Sequence, residues 1–133
     1  RLDLLVNDFV WRALKDRAFV VFEGQYRRTC VHVQDVARAF IHALFMGENL
    51  QGVYNVGTVT LSKLSLCEAI KVHLPDFHYV EAQYLSDSDQ RDYIVSCEKL
   101  MATGYEPKVT LDDGIKELLK GYRAMTNTIH GNV

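Results

Sequence analysis

No run of residues in this chain is apolar for long enough to span a bilayer: the longest, 37–46 and 19–22, fall far short of the roughly 20 residues required. No membrane segment is expected. Only two prolines occur, so the chain lacks the composition of an extended or disordered polymer. The cysteines at 30, 67 and 97 are odd in number, widely spaced and without a Cys-x-x-Cys pair, which excludes a disulfide framework or zinc knuckle and points to reduced core thiols in a cytoplasmic protein. Charge of one sign is also missing. The formal net charge is -2 and no basic stretch exceeds Arg27-Arg28, so no groove for a nucleic-acid backbone is expected.

Chemistry-bearing patterns are absent too. No Gly-x-Gly-x-x-Gly or Gly-x-x-Gly-x-x-Gly follows a strand, and Gly47, Gly52 and Gly57 fall in the wrong spacing and context to cradle a dinucleotide pyrophosphate. No tyrosine has a lysine four positions later; Tyr105 and Lys108 are one residue too close and are interrupted by Pro107. The histidines at 32, 42, 73, 78 and 130 include no helical pair four apart that would converge on a metal. Ser96-Cys97 has no oriented histidine beside it, and Cys30 sits in an apolar strand where burial keeps a thiol protonated. No catalytic, cofactor or metal residue is therefore assigned.

What is present is a globular composition, 48% apolar and 24% charged over 133 residues. That length suits one compact domain with a core of its own, and not a cofactor domain plus a substrate domain. The expected domain covers residues 1–125, followed by a polar, frayed tail at 126–133. The abrupt start at Arg1, already close to a helix, reads as a fragment.

Apolar spacings of three and four predict a helix from Asp3, acting as cap, to Leu14. Residues 19–22 and 29–33 read as strands, and Asp35 as the cap of a helix ending near Gly47. A strand over 53–57 is expected next, then a helix from Ser62 or Ser65 to His73, closed by Pro75. Short strands follow at 79–82 and 92–95, with a helix over 98–103 stopped by Gly104. Thr110 caps a last helix with Asp112 and Asp113 in its first turn and Lys120 and Arg123 near its end, the order that complements the helix dipole. The fold class is α+β, a small mixed domain of short strands and about five helices.

Two arginines stand out, because a guanidinium holds a diphosphate through paired charge-assisted hydrogen bonds. Arg28 leads into a strand and Arg91 precedes another. Spacing alone does not bring them together, and the plainer reading is surface arginines in turns.

The string from Arg28 through His32-Val33 and Asp35 to Ala37 resembles the Arg-x-x-x-His-Val-x-Asp-x-Ala motif of the extended short-chain dehydrogenase/reductases, the nucleotide-sugar epimerases and dehydratases. Tyr54-Asn55-Val56-Gly57 is similar to that family's Tyr-Asn-(Val/Ile)-Gly turn. Residues 89–99 resemble its Asp-x-Arg-x-Tyr-x-Val-Ser-x-x-Lys segment, and Gly104-Tyr105-x-Pro107 with Thr110-Leu111-x-Asp113-Gly114-Ile115 its closing helix. The opening 1–7 also fits a subgroup. Four ordered motifs are far more specific than one.

The resemblance implies the C-terminal, substrate-binding portion of such an enzyme, without the Rossmann sheet. It places Arg28 and Arg91 on either side of a nucleotide-sugar diphosphate, and Val20 and Phe22 on the strand lining the nucleobase pocket. Asp3 and Leu4 stand where many members carry an asparagine touching the substrate; this chain has no asparagine there. Asp35, Asn55, Tyr54, Tyr93, Ile115 and Leu118 are read as scaffold: a cap, a turn tie and core packing. NAD or NADP is implied for a full-length parent, held by an N-terminal Rossmann domain that also carries the catalytic Tyr-x-x-x-Lys, so this portion alone is expected to be inactive. The alternative is a stand-alone module binding a nucleotide sugar or a protein partner, in which self-association hides the face a Rossmann domain would cover.

Overall fold

A computed structural model describes residues 3–82 and 92–125. Arg91 and the tail at 126–133 lie outside the described residues. The first helix, α1 (Leu5–Lys15), buries Phe9, Val10, Trp11 and Ala13 and has Asp8 in its first turn and Arg12 and Lys15 in its last. Leu4, with no capping side chain, precedes it, so Asp3 is not the cap that its position suggested. Beyond the helix, Arg17 turns the chain at φ 62° into β1 (Ala18–Phe22).

Along β1 the side chains alternate: Phe19 and Val21 enter the core while Val20 and Phe22 face out. It pairs in parallel with β4 (His78–Ala82), Phe19 opposite Tyr79 and Val21 opposite Glu81. Between them come β2 (Arg27–Cys30), α2 (Val33–Met46), a 3-10 turn (Gly47–Asn49), β3 (Val59–Ser62) and α3 (Lys63–His73). The strands β2 and β3 form their own antiparallel pair. After β4 follow α4 (Glu98–Met101) and α5 (Leu111–Ala124). No helix among the described residues is long and apolar enough to cross a membrane.

The main core joins α1, β1, α3 and α5: Trp11 meets Tyr122 edge-on, and Phe19 lies against Phe9 and Phe77 with ring centroids 4.9 and 5.0 Å away. Ile115 is fully buried here and Leu118 packs at its edge, as expected. A second, smaller cluster holds Ala39 of α2 with Leu100 and Tyr105, and Tyr54 and Val56 pack on it.

Several sequence expectations need correction. The second strand is 27–30, because Val33 already begins α2 and His32 is its cap, accepting from Gln34 N–H. Residues 53–57 form no strand, and the strand that does form lies just after them, at 59–62. Residues 92–95 are likewise not a strand, and Tyr93 is exposed, not core. Ser62, not Ser65, caps α3, accepting the Ser65 amide at 3.1 Å. Thr110 and Asp113 cap α5 reciprocally. The Asn55 amide does not close a local turn; it reaches the Ser96 carbonyl at 3.1 Å. Gly57 is required sterically, since a Cβ there would meet Thr29 Cγ2 at 2.6 Å and Cys97 Sγ at 2.9 Å.

Asp35 also differs from expectation. It is the third residue of α2, completely buried, and its carboxylate accepts the amides of Lys108 at 2.9 Å and Val109 at 3.0 Å and the Arg38 guanidinium at 2.6 Å. Tyr105 Oη donates to the Asp35 carbonyl at 2.8 Å. Burial alone would raise this carboxyl's pKa, but the two amides and Arg38 outweigh it and hold the value below the ordinary range. Asp35→Ala is expected to cost about 2–4 kcal/mol in urea unfolding, because it strands those buried donors. Because the native pKa is lowered, Asp35 contributes its full stabilisation above the unfolded value of about 4 and loses it as pH falls through the native value. Melting curves across that acid window, flatter in the variant than in the parent, check this.

Candidate functional site

The outward face of β1 meets the start of α1 and the start of α3 around a cavity of about 330 Å³. Its wall contains Asp3, Leu5, Asp8, Arg12, Val20, Phe22 and Lys63 among others. Three of the residues singled out in the sequence, Asp3, Val20 and Phe22, thus share one hollow. Leu4 does not line it; its side chain is 52% exposed.

Sequence reasoning missed Lys63. It is buried to 4% exposure, and its ammonium donates to the Phe22 carbonyl at 3.0 Å. The signal was present: a cation in the first turn of a helix opposes the positive end of the helix dipole, so a lysine directly after the cap needs some other partner. The Phe22 carbonyl, at the end of β1, is one. Arg12 adds a second cation, 3.7 Å from Asp8 and with its guanidinium 4.5 Å from the centre of the Phe19 ring. The cavity therefore offers apolar side chains for a flat group beside mixed charge.

Arg28 does not line this cavity. It is 9% exposed, with Nη1 on the Arg27 carbonyl at 2.9 Å and its guanidinium over the Tyr93 ring at 5.3 Å. Arg27, on the opposite face of β2, forms a fork with Asp92. That fork borders a second hollow of about 610 Å³ with Tyr26, Thr60, Ser62 and Ser65. Arg91 lies outside the described residues, which resume at Asp92.

The three cysteines are not set for nucleophilic attack. Burial pushes the thiol pKa of Cys30 up against the opposing pull of Arg28, pushes that of Cys97 up, and drives that of Cys67 up to about 12. The Tyr79 phenol, bonded to the Glu68 carboxylate, is likewise raised to about 12. His73 pairs with Asp112 at 2.6 Å and His32 with Glu117 at 3.2 Å, ties between α5 and its neighbours. The arrangement can hold a ligand; its described side chains offer no poised nucleophile.

No family model matches the chain. It is 33% identical over 109 residues to the dTDP-D-glucose 4,6-dehydratase of the mouse, an alignment covering 75% of this chain and 30% of that protein. Among solved structures it resembles the UDP-glucose 4-epimerase of Thermotoga maritima, determined with UDP-glucose (TM-score 0.71, 29% identity, 90% of this chain, 39% of that one). It also resembles the UDP-glucose 4-epimerase of Thermus thermophilus, determined with NAD (TM-score 0.70, 28% identity, 90% and 40%). The chain spans less than half of each.

Lys63→Met keeps the stem and removes the ammonium. It is expected to lower stability by about 1–3 kcal/mol, since the part-buried bond to the Phe22 carbonyl is lost. Equilibrium unfolding measures this, and an unchanged midpoint would show the bond to be dispensable.

Proposed function

We propose that this chain, which belongs to the NAD-dependent epimerase/dehydratase family of extended short-chain dehydrogenase/reductases but spans only part of its members, is a C-terminal substrate-binding portion that positions a nucleotide-diphosphate sugar. The observation that carries the reading is the shared cavity of Asp3, Val20 and Phe22, the residues that the motif resemblance assigns to substrate. In this reading the base lies against Val20 and Phe22 and the diphosphate reaches Arg28 and Arg91. A group held in a productive orientation accelerates a reaction only when its partner is present, so the chain supplies binding and not turnover.

A dinucleotide does not fit the described residues. Strand β3 runs directly into α3 at Ser62-Lys63, and β2 into α2 through Val31-His32, with no glycine-rich turn for a pyrophosphate at either helix start. NAD or NADP belongs, on this proposal, to an N-terminal Rossmann domain.

Two features support such a partner. The stripe Val33, Phe40, Ile41, Leu44 and Phe45 on α2 is 74, 70, 52, 81 and 88% exposed, and covering it would contribute on the order of 5–10 kcal/mol. Later in the chain, the backbone groups of Tyr54, Asn55 and Val56 make no hydrogen bond among the described residues. Such an unpaired segment is free to add to another sheet. The second reading, a stand-alone module, rests on the same stripe closing against another copy.

Calorimetric titration with uridine, thymidine, guanosine and cytidine diphosphate sugars tests the binding. Millimolar or tighter affinity is expected, weakened about ten- to a hundredfold in Arg28→Ala, the loss of one or two charge-assisted bonds. Binding untouched by that change would remove Arg28 from the site. For the bare stripe, sedimentation of the isolated chain is expected to show self-association that Phe40→Asp with Leu44→Asp abolishes; a monomer at all concentrations would refute it.

A further inference from the structure

Arg27 and Arg28 are consecutive on β2, so they point to opposite faces of the strand. One side of β2 pairs with β3. Along the other run residues 92–95, joined to it by a graded set of bonds. Asp92 Oδ1 accepts the Arg27 amide at 2.8 Å and Arg27 Nε at 3.1 Å, and Oδ2 accepts Arg27 Nη2 at 3.0 Å. The Tyr93 amide points at the Arg27 carbonyl at 3.5 Å, and the Val95 amide donates to Thr29 Oγ1 at 3.2 Å. Asp92 is thus the strongest attachment of this segment to the strand. The same segment carries the ring over which the Arg28 guanidinium lies, and the Arg27 carbonyl accepts Arg28 Nη1.

We propose that Asp92 is a positioning residue: by clamping Arg27 it fixes Tyr93 and the Arg27 carbonyl, and through them the plane and direction of the Arg28 guanidinium that meets the diphosphate. This rests on the proposed role of Arg28. A planar guanidinium that must present a fork to phosphate oxygens loses little entropy on binding only if its plane is set beforehand. Here a ring face and a carbonyl set it. An ion pair this exposed, with Arg27 and Asp92 side chains at 47% and 36%, adds little to stability on its own. Its bidentate geometry and added backbone amide are better matched to orientation. The Arg27 fork, first, and its amide hold the Asp92 carboxyl down at about 2, so the clamp stays charged through all ordinary assay conditions.

The test compares wild type with Asp92→Asn and Tyr93→Leu, using uridine diphosphate and uridine as ligands and the Arg28 Nε–Hε resonance as a direct reporter. Expected in both variants are a loss of about tenfold in diphosphate affinity, a uridine affinity unchanged within twofold, and an Arg28 resonance that loses its ring-current shift. A parallel loss of both affinities, or an unmoved resonance and unmoved affinity ratio, overturns the proposal. If wild type binds neither ligand, the resonance alone decides. Arg28→Ala separates the two levels: if it leaves diphosphate binding intact, the reading of Arg28 fails; if it weakens binding while Asp92→Asn does not, only the clamp fails.

Discussion

The buried carboxylate of Asp35 carries the arrangement of the second half of the molecule. A fully buried charge is tolerated only when its oxygens are saturated, and here Lys108, Val109 and Arg38 saturate them. With Tyr105 Oη on the same residue's carbonyl, the first turn of α2 is fastened to the segment that leads straight to Thr110 and the cap of α5. Helix α5 in turn closes the main core over α1 through Trp11 and Tyr122. One side chain thereby links both hydrophobic clusters. It also fixes the rotation of α2, putting Ala39 inward and Phe40, Leu44 and Phe45 outward.

The two sides of the molecule have opposite characters as a result. Around the outward face of β1, apolar side chains stand beside Lys63, Arg12, Asp3 and Asp8, and the backbone is paired or bonded. Along the outer face of α2 the surface is apolar, and the backbone of residues 54–56 has no hydrogen bond among the described residues. Polar satisfaction at the cavity suits a small ligand, whereas unpaired backbone and a bare apolar stripe suit a polypeptide. That contrast agrees with a chain spanning less than half of the relatives it matches.

Residues 53–57 have strand-like alternation, Val53 and Asn55 out and Tyr54 and Val56 in, yet no strand among the described residues pairs with them, while 59–62 find a partner in β2. Tyr93 reads as core because it is aromatic, and lies instead exposed against Arg28. Asp35 reads as a cap because aspartate before an apolar run usually is one; His32 caps the helix, and Asp35 turns to amides more than 70 positions away. In each case the residue type was read correctly and the partner was not.

By itself the sequence determined the helices, their direction of charge, the cap at Thr110, and the alternation that sends Val20 and Phe22 to one face of β1. These depend on hydrogen bonds and side-chain periods spanning four residues or fewer, which are written in the local order of residue types. It also carried the family motifs. Only tertiary structure decided which strands pair, that Lys63 crosses to the Phe22 carbonyl, that Asp3 meets β1 in a cavity, and that Arg27 and Asp92 form a fork. Those contacts join residues 17 to 65 positions apart, and their geometry is set by how the packed helices bring distant backbone together, which no local pattern encodes.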